Sequence, residues 1–230
     1  DALGLGRGLA IAAELVERER QRAERQRQEQ ARIEAAQAAA AEQAAAQWAE
    51  ASETGASPYL VRKGVQAHGL RFAAGGWLLV PLRDAVGKLW NLQRIAPAKP
   101  ESGAPEKLFL KGGRKSGLWH LVGELASGGD TGPSASGPAV LLIAEGYATA
   151  ATVHEATGYP VAVAFDAGNL QHVARALRQQ YPAALLVLCG DDDQDTEKQT
   201  GTNPGRAKAT AAARAVRGLA VFPEGLPPGG

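Results

Sequence analysis

The pattern of hydrophobic and polar residues divides the chain into three stretches of different character. In the first, residues 10–54 contain neither Pro nor Gly and are rich in Ala, Glu, Gln and Arg, which all favour helices. This composition predicts one long helix. Its apolar side chains, such as Leu15 and Ile33, are too sparse for a continuous heptad seam. We interpret residues 1–55 as a spacer or docking arm, or as a solvated helix with one packed end.

Short apolar runs separated by turn residues make up the second stretch. The segment SPYLVRKG predicts a short helix with Ser57 as its N-cap. The runs LRFA, GWLLVPLRD, KLWNLQRIA, KLFLKG and GLWHLVG predict strands of a small antiparallel sheet. The second and third of these runs form a predicted hairpin that turns at residues 84–87. Together with a breaker-rich linker, these segments define a small α+β lobe over residues 56–137.

The third stretch, residues 138–230, alternates between apolar runs and segments of helical periodicity. VLLIA, PVAVAF, ALLVLCG and LAVF predict strands, and GYATAATVHEAT, NLQHVARALRQQY and NPGRAKATAAARAVRG predict helices. This alternation indicates an α/β fold in which a parallel sheet is flanked by helices on both faces. Sheets of this kind bind ligands beyond the carboxyl ends of their strands.

Acidic residues follow three of the predicted strands. Glu145 follows the first, Asp166 and Asn169 follow the second, and the segment CGDDDQD ends the third. Because these carboxyl ends meet at one edge of a parallel sheet, the carboxylates would repel one another unless a cation lies between them. Oxygen ligands without a cluster of His or Cys favour Mg²⁺ or Mn²⁺ over zinc.

The metal ligands that we select are Glu145, Asp191 and Asp193. Side chains alternate along an extended segment, so Asp191 and Asp193 would point to one side and Asp192 to the other. Asp192 and the two polar residues after the second strand are then candidates for supporting positions around the ligands. For the DDDQD segment taken by itself, an acidic turn in solvent is the alternative interpretation.

Positive charge is concentrated in the small lobe, although the whole chain has a formal net charge of only +1. Residues 56–123 contain eleven Lys or Arg and three acids, with Trp residues among them. Cations and flat rings together suit a polyanion such as single-stranded nucleic acid, whereas a Trp core under a soluble Lys surface is the alternative. In LKGGRKSG, the two glycines would let backbone amides approach a phosphate. We expect DNA contacts from Arg83, Arg94, Lys111, Arg114 and Lys115.

Two further basic residues lie at the start of the last predicted helix. Asn203 is the predicted N-cap of this helix, and Pro204 lies in its first turn. Arg206 and Lys208 follow, where the helix dipole disfavours positive charge, so we expect them to have an anionic partner. That partner could be the aspartates, the phosphates of a nucleotide, or both.

Cysteine usage and hydropathy exclude several classes of protein. The single cysteine, Cys189, allows neither an internal disulfide nor a cysteine-based zinc site within these residues. No apolar run approaches the length of a membrane span and no secretory signal is present, so we expect a cytoplasmic protein without membrane contact. The absence of Met suggests a piece of a longer protein.

The motifs together resemble the Toprim domain, which bacterial-type primases, topoisomerases and some nucleases share. EGY after an apolar strand and D-x-D after a later strand carry this resemblance. AFDAGNL, CGDDD and TNPGRAKATAAARA, with SPYLVRKGV and KLFLKGG upstream, are similar to primases encoded by conjugative plasmids and phages. The resemblance covers residues 56–222 and implies that Glu145, Asp191 and Asp193 bind divalent metal during nucleotidyl transfer. Many bacterial primases have a further acid where this chain has Thr149, which leaves the geometry of a second ion open.

The resemblance implies the synthesis of short RNA primers on single-stranded DNA, in plasmid conjugation or replication. Nucleoside triphosphates would be the substrates, and other domains of a larger conjugation or replication protein would be partners. A Toprim nuclease is one alternative, and a non-catalytic DNA-binding or interaction module is another. A topoisomerase would need a catalytic tyrosine in a further domain, because we expect Tyr147 and Tyr159 to be packing residues.

Overall fold

The computed structural model describes residues 2–125, 139–191 and 194–223. The helices are α1 (Ala2–Glu50), α2 (Pro58–Lys63), α3 (Tyr147–Thr157), α4 (Leu170–Gln180), α5 (Gln194–Thr200) and α6 (Pro204–Ala215). The strands are β1 (Arg71–Ala73), β2 (Trp77–Arg83), β3 (Leu89–Ile95), β4 (Lys107–Phe109), β5 (His120–Val122), β6 (Val140–Ala144), β7 (Val161–Val163), β8 (Leu185–Cys189) and β9 (Leu219–Val221). In the part of the chain that these ranges cover, no helix is long and apolar enough to cross a membrane.

Helix α1 confirms the predicted long helix, and from residue 14 onwards, where its side chains are described, it packs through its C-terminal part. Its side chains are exposed from residue 14 to residue 36, where pairs such as Arg18 and Glu14, 2.7 Å apart, satisfy one another along the surface. Ala40 and Ala44 are buried against the small sheet. Because alanine adds little bulk, the helix backbone can lie close to the strands. From residue 14 to residue 36 the structure agrees with the interpretation of a solvated helix, and the role of a spacer or docking arm stays a prediction.

The small sheet has the strand order β1-β2-β3-β4, and every neighbouring pair is antiparallel. Its central hairpin turns at residues 84–87, as predicted. The Asp84 carboxylate accepts hydrogen bonds from the backbone N–H groups of Val86 (3.1 Å) and Lys88 (3.0 Å). Gly87 has φ +81°, a conformation that glycine adopts without steric cost. These contacts fix the register of β2 and β3.

Helix α2 follows Ser57 as predicted, but the predicted capping bond is wrong. The Ser57 side chain makes no capping hydrogen bond, and its buried Oγ has no hydrogen-bond partner among the described residues. Pro58 occupies the first turn, where its fixed φ favours the helical conformation. Tyr59 and Leu60 are buried and anchor this helix. Packing and proline therefore position α2 without a side-chain cap.

The second sheet has the strand order β5-β7-β6-β8-β9. The pairs β7–β6, β6–β8 and β8–β9 are parallel, whereas the pair β5–β7 is antiparallel. The predicted α/β sheet is thus confirmed in its parallel part, but it is mixed rather than wholly parallel. The strand from GLWHLVG, which the sequence analysis placed in the small sheet, is β5 of this second sheet. Its apolar pattern predicts a strand but carries no information about the pairing partner.

Helices cover both faces of the second sheet. Helix α3 packs in the core that also contains Leu78, Val80 and Leu82 of β2, so the two sheets share one hydrophobic core. Helices α4 and α6 pack on the opposite face. Helix α5 was not predicted, because QDTEKQT has no apolar face that periodicity could reveal. The shared core holds the small sheet against the Toprim-like sheet at a defined position.

Tyr147 is a packing residue at this junction, as predicted from the sequence. Its side chain is fully buried, and its hydroxyl donates to Gln66 O (2.6 Å) and accepts from the N–H of His68 (2.8 Å). Burial raises the pKa of the Tyr147 phenol above its ordinary value, which disfavours the phenolate. Tyr159 is half-buried against the same core.

Replacing Tyr147 with Phe is expected to lower the free energy of unfolding by about 1–2 kcal/mol, because two partly buried hydrogen bonds to the backbone of Gln66 and His68 are lost. Denaturant unfolding of the purified variant measures this loss. Any activity of the chain should be unaffected when it is assayed under conditions in which the variant is still folded. A variant as stable as the wild type would show that water replaces the hydroxyl at no cost.

Candidate metal and nucleic-acid site

The predicted metal ligands Glu145 and Asp191 leave neighbouring strands at the same edge of the sheet. Strands β6 and β8 are parallel, and Ala144 at the end of β6 lies opposite Cys189 at the end of β8. Neighbouring strands are about 4.8 Å apart, so the residues that follow them start from adjacent positions. Asp193, the third selected ligand, and Asp192 lie outside the described residues. The side of the sheet at which these strands end is called the rim below.

Lys107 reaches the rim from the small sheet and was not selected from the sequence. A Cβ added to Gly146 would lie 3.9 Å from Nζ of Lys107. Lys107 is exposed to solvent on one side, and desolvation by its neighbours lowers its pKa, whereas the charges of Glu106, Glu145 and Asp191 act in the opposite direction. The Lys107 ammonium group is therefore within electrostatic range of both predicted metal ligands. A single lysine in a three-residue strand of a basic lobe gives no sequence signal that would distinguish it from its neighbours.

The turn after β7 connects the rim to the small lobe. Asp166 accepts a hydrogen bond from Nζ of Lys115 (2.9 Å) and another from the N–H of Asn169 (3.0 Å). The buried Asn169 amide donates to Ala164 O (2.8 Å) and accepts from the N–H of Gly117 (2.8 Å). Asn169 thus clamps the loop of residues 115–118 to the end of β7, which accounts for this residue without a metal. The supporting role of Asp166 near the metal ligands stays a prediction.

Phe165 has a strained backbone at this turn. Its φ of +73° is unusual for a residue with a side chain and has an energetic cost. The Phe165 ring is buried and packs edge-on against Phe109, with 6.1 Å between ring centroids. Nζ of Lys115 lies 4.6 Å from the centroid of the Phe109 ring. The strained turn therefore holds the Phe165 ring in the core, while the next residue, Asp166, pairs with Lys115.

The five predicted DNA contacts fall into two groups. Arg114 lies 5.1 Å from the centroid of Trp90, Lys115 pairs with Asp166, and Lys111 is exposed, all in the loop after β4. Arg83 and Arg94 lie on the face of the small sheet that α1 covers. Arg83 is 5.5 Å from the centroid of the α1 residue Trp48, and burial lowers its pKa. The structure does not bring these two groups onto one surface.

The two glycines in LKGGRKSG are required by packing. A Cβ on Gly112 would lie 3.2 Å from Cβ of Ala36 in α1, and a Cβ on Gly113 would lie 2.3 Å from the Asn91 amide nitrogen. The N–H of Gly113 already donates to Leu110 O (3.1 Å). The sequence analysis attributed these glycines to phosphate approach, and the close contacts with α1 and β3 give them a structural explanation instead.

Helix α6 begins beside the rim, with the cap that the sequence predicted. Asn203 Oδ1 accepts from the N–H of Arg206 (3.0 Å), and Pro204 lies in the first turn. The Arg206 guanidinium lies 4.8 Å from the centroid of Phe222, and a Cβ on Gly190 would lie 2.5 Å from that ring. Because Gly190 precedes Asp191, the Phe222 ring lies between Arg206 and the start of the segment that contains the predicted ligand. Lys208 is exposed on the same helix.

Comparison with known proteins gives a family match for part of the chain. Residues 140–224 match the Toprim domain. The chain is 45% identical over 172 residues to a DNA primase TraC of Escherichia coli, a match that covers 74% of this chain and 15% of that protein. A second DNA primase TraC of Escherichia coli is 43% identical over 169 residues, covering 73% of this chain and 11% of that protein. The chain therefore spans only a small part of the length of these relatives.

Two solved structures are also similar. The DnaG catalytic core aligns with a TM-score of 0.47 and 16% identity, over 75% of this chain and 64% of that chain. A DNA primase domain from Pseudomonas aeruginosa aligns with a TM-score of 0.42 and 16% identity, over 74% of this chain and 51% of that chain.

Proposed function

Because residues 140–224 are a Toprim domain and the chain is similar to DNA primases over most of its length, we propose that it is the catalytic core of a DNA primase. Its reaction is the synthesis of short RNA primers on single-stranded DNA from nucleoside triphosphates. The observation that carries the proposal is the register of β6 and β8, which brings the segments of Glu145 and Asp191 out at the same edge of the sheet. Plasmid conjugation or replication, within a larger protein, is the proposed setting.

The metal ligands in this proposal are Glu145, Asp191 and Asp193, and the ion is Mg²⁺ or Mn²⁺. The donor set fits, because two carboxylates start from adjacent strand ends and a cation already lies within their electrostatic range. The third ligand in this proposal is Asp193, which lies outside the described residues; within the described part, no group of three His, Cys, Asp or Glu side chains could hold a metal. A divalent ion held there would lower the pKa of the attacking 3′-hydroxyl and neutralise the triphosphate.

The chain's own cations orient the substrates in this proposal. Lys107 and Arg206 would bind the triphosphate oxygens, and Lys208 would extend this surface. Lys111, Arg114 and Lys115 would guide the template along the loop after β4, where electrostatic contacts with phosphates are independent of base sequence. Asp166 holds Lys115 in place until a phosphate competes for it.

Primer synthesis by the purified chain tests the proposal. The chain is incubated with single-stranded template, labelled nucleoside triphosphates and Mg²⁺ or Mn²⁺, and the expected products are short labelled oligonucleotides. Omitting the template or the metal should abolish them. Metal-dependent nicking of DNA without nucleoside triphosphates would instead support the nuclease alternative. Binding to single strands without synthesis or nicking would support the non-catalytic module.

A further inference from the structure

A cleft opens between the end of α1 and the small sheet, on the face that points away from the rim. Its volume is about 360 Å³, which is within the lower range of small-ligand sites. The floor is Leu79, which is almost completely buried. The neighbouring strand residues Leu78, Val80 and Leu82 point into the core shared with the second sheet, so the cleft and Glu145 lie on opposite sides of the small sheet. The lining residues are Gln47, Glu50, Ala51, Ala73, Ala74, Trp77, Leu79 and Arg94.

The walls of the cleft combine an aromatic ring with a cation. Trp77 is half-buried, and the Arg94 guanidinium lies 4.8 Å from the centroid of its ring. Arg94 is the cross-strand partner of Leu79, so it projects over the same face of the sheet as Trp77. Three alanines, Ala51, Ala73 and Ala74, leave space beside the ring. On the last turns of α1, Gln47 and Glu50 provide groups that could form hydrogen bonds with the polar edge of a bound ligand.

Arg94 differs from the other arginines that stack on tryptophan. Arg71 donates to Trp48 O (2.6 Å) and to Glu53 (2.6 Å), and Arg83 donates to Gly87 O (2.9 Å). Arg114 donates to Ser116 O (3.3 Å). The Arg94 guanidinium makes no hydrogen bond or ion pair within the described ranges, and its donors are available to a ligand. Among the described residues, the fold thus places an arginine without a polar partner beside a half-buried tryptophan ring.

We propose that this cleft binds one nucleotide of single-stranded DNA, with the base against Trp77 and a neighbouring phosphate on Arg94. Aromatic faces accept any base, and arginine donors match phosphate oxygens. The choice of DNA rests on the proposed primase function, but the base site itself does not require catalysis. A strand held here lies outside the rim, so the cleft would retain the template rather than align it for reaction.

Binding of a short fluorescent oligodeoxynucleotide, followed by anisotropy, tests the proposal. Trp77→Leu is expected to weaken binding about tenfold, as for the loss of one base–aromatic stack, and Trp77→Phe should restore most of the affinity. Arg175→Ala is the matched charge control for Arg94→Ala, because Arg175 is exposed on α4, which packs on the far face of the second sheet. Arg94→Ala should weaken binding more than Arg175→Ala does.

An oligodeoxynucleotide with abasic sites separates base stacking from phosphate contact. Wild type and Trp77→Leu should bind it equally. Unchanged affinity of Trp77→Leu for the normal oligonucleotide, or an equal loss with the abasic one, would overturn the proposal. Thermal unfolding verifies that each variant is folded. Primer synthesis is measured separately. If the affinity for DNA depends on Trp77 but the chain makes no primers, only the primase function is refuted. If the chain makes primers but its affinity for DNA does not depend on Trp77, only the proposed role of the cleft is refuted.

Discussion

Replacing Asp191 with Asn is expected to reduce primer synthesis by about 100-fold or more, because the loss of one ligand removes several kcal/mol of charge stabilisation by the metal. Glu145→Gln should have the same effect, since its carboxylate starts from the adjacent strand end. Both substitutions preserve the size of the side chain and leave the apolar strands unchanged. The measurement is the initial rate of primer synthesis at saturating template and nucleotide.

A second readout shows whether these two variants act through metal binding. Mn²⁺ should raise the melting temperature of the wild type, because a ligand that binds only the folded state stabilises it, and it should not raise that of Asp191→Asn. Glu101→Gln is the matched control, since it removes an exposed acid from a loop of the small lobe. Full activity of Asp191→Asn, or an equal Mn²⁺ response in all variants, would contradict the assignment of the rim as the metal site.

The position of the two acids could be predicted because it depends on short-range rules. Each acid follows an apolar run that is long enough to be a buried strand, and parallel strands place their carboxyl ends at one edge. The register of Ala144 opposite Cys189 confirms that arrangement for Glu145 and Asp191. The hairpin at Asp84 and the cap at Asn203 were predictable for the same reason, since each is formed by contacts within a few residues.

The contributions that the sequence analysis missed depend on how the two sheets pack. Strand β5 has an apolar pattern that suits either sheet, and only its pairing with β7 decides the assignment. Glycine at positions 112 and 113 fits both phosphate approach and close packing, because both use the absence of a Cβ. The mixture of tryptophan and basic residues in the small lobe indicated nucleic-acid contact, yet Trp119 is buried in the core and Trp90 is stacked against Arg114 within the chain.

Lys107 is the most consequential of these missed residues, because it connects the small lobe to the acids at the rim. Without metal, its ammonium offsets the repulsion between Glu145 and Asp191, and burial disfavours its charge. When metal and nucleotide bind, the same ammonium would be free to contact a phosphate oxygen. One side chain would then serve as a counter-ion in the empty site and as a substrate ligand in the loaded site.

Replacing Lys107 with Met is therefore expected to change the affinities for metal and for nucleotide in opposite directions. The apparent KM for nucleoside triphosphate should rise about tenfold or more through loss of a charge-assisted contact, while Mn²⁺ should bind more tightly because no internal cation competes. Lys107→Arg, which keeps the charge, should restore much of the nucleotide affinity. Nucleotide titration of the initial rate and Mn²⁺ titration of the melting temperature measure the two effects. If both affinities fall together, Lys107 supports only the local structure.

The lowered pKa of Lys107 adds a pH dependence with a definite sign. The unfolded chain binds a proton at Lys107 up to its ordinary pKa of 10.5, whereas the folded chain releases it at lower pH. The cost of desolvating the charged lysine is therefore fully present at neutral pH and disappears as the pH rises towards 10.5. In metal-free protein, wild type should gain stability relative to Lys107→Met across that window. A constant difference between the two unfolding free energies would mean that desolvation of the ammonium has no net cost at the rim.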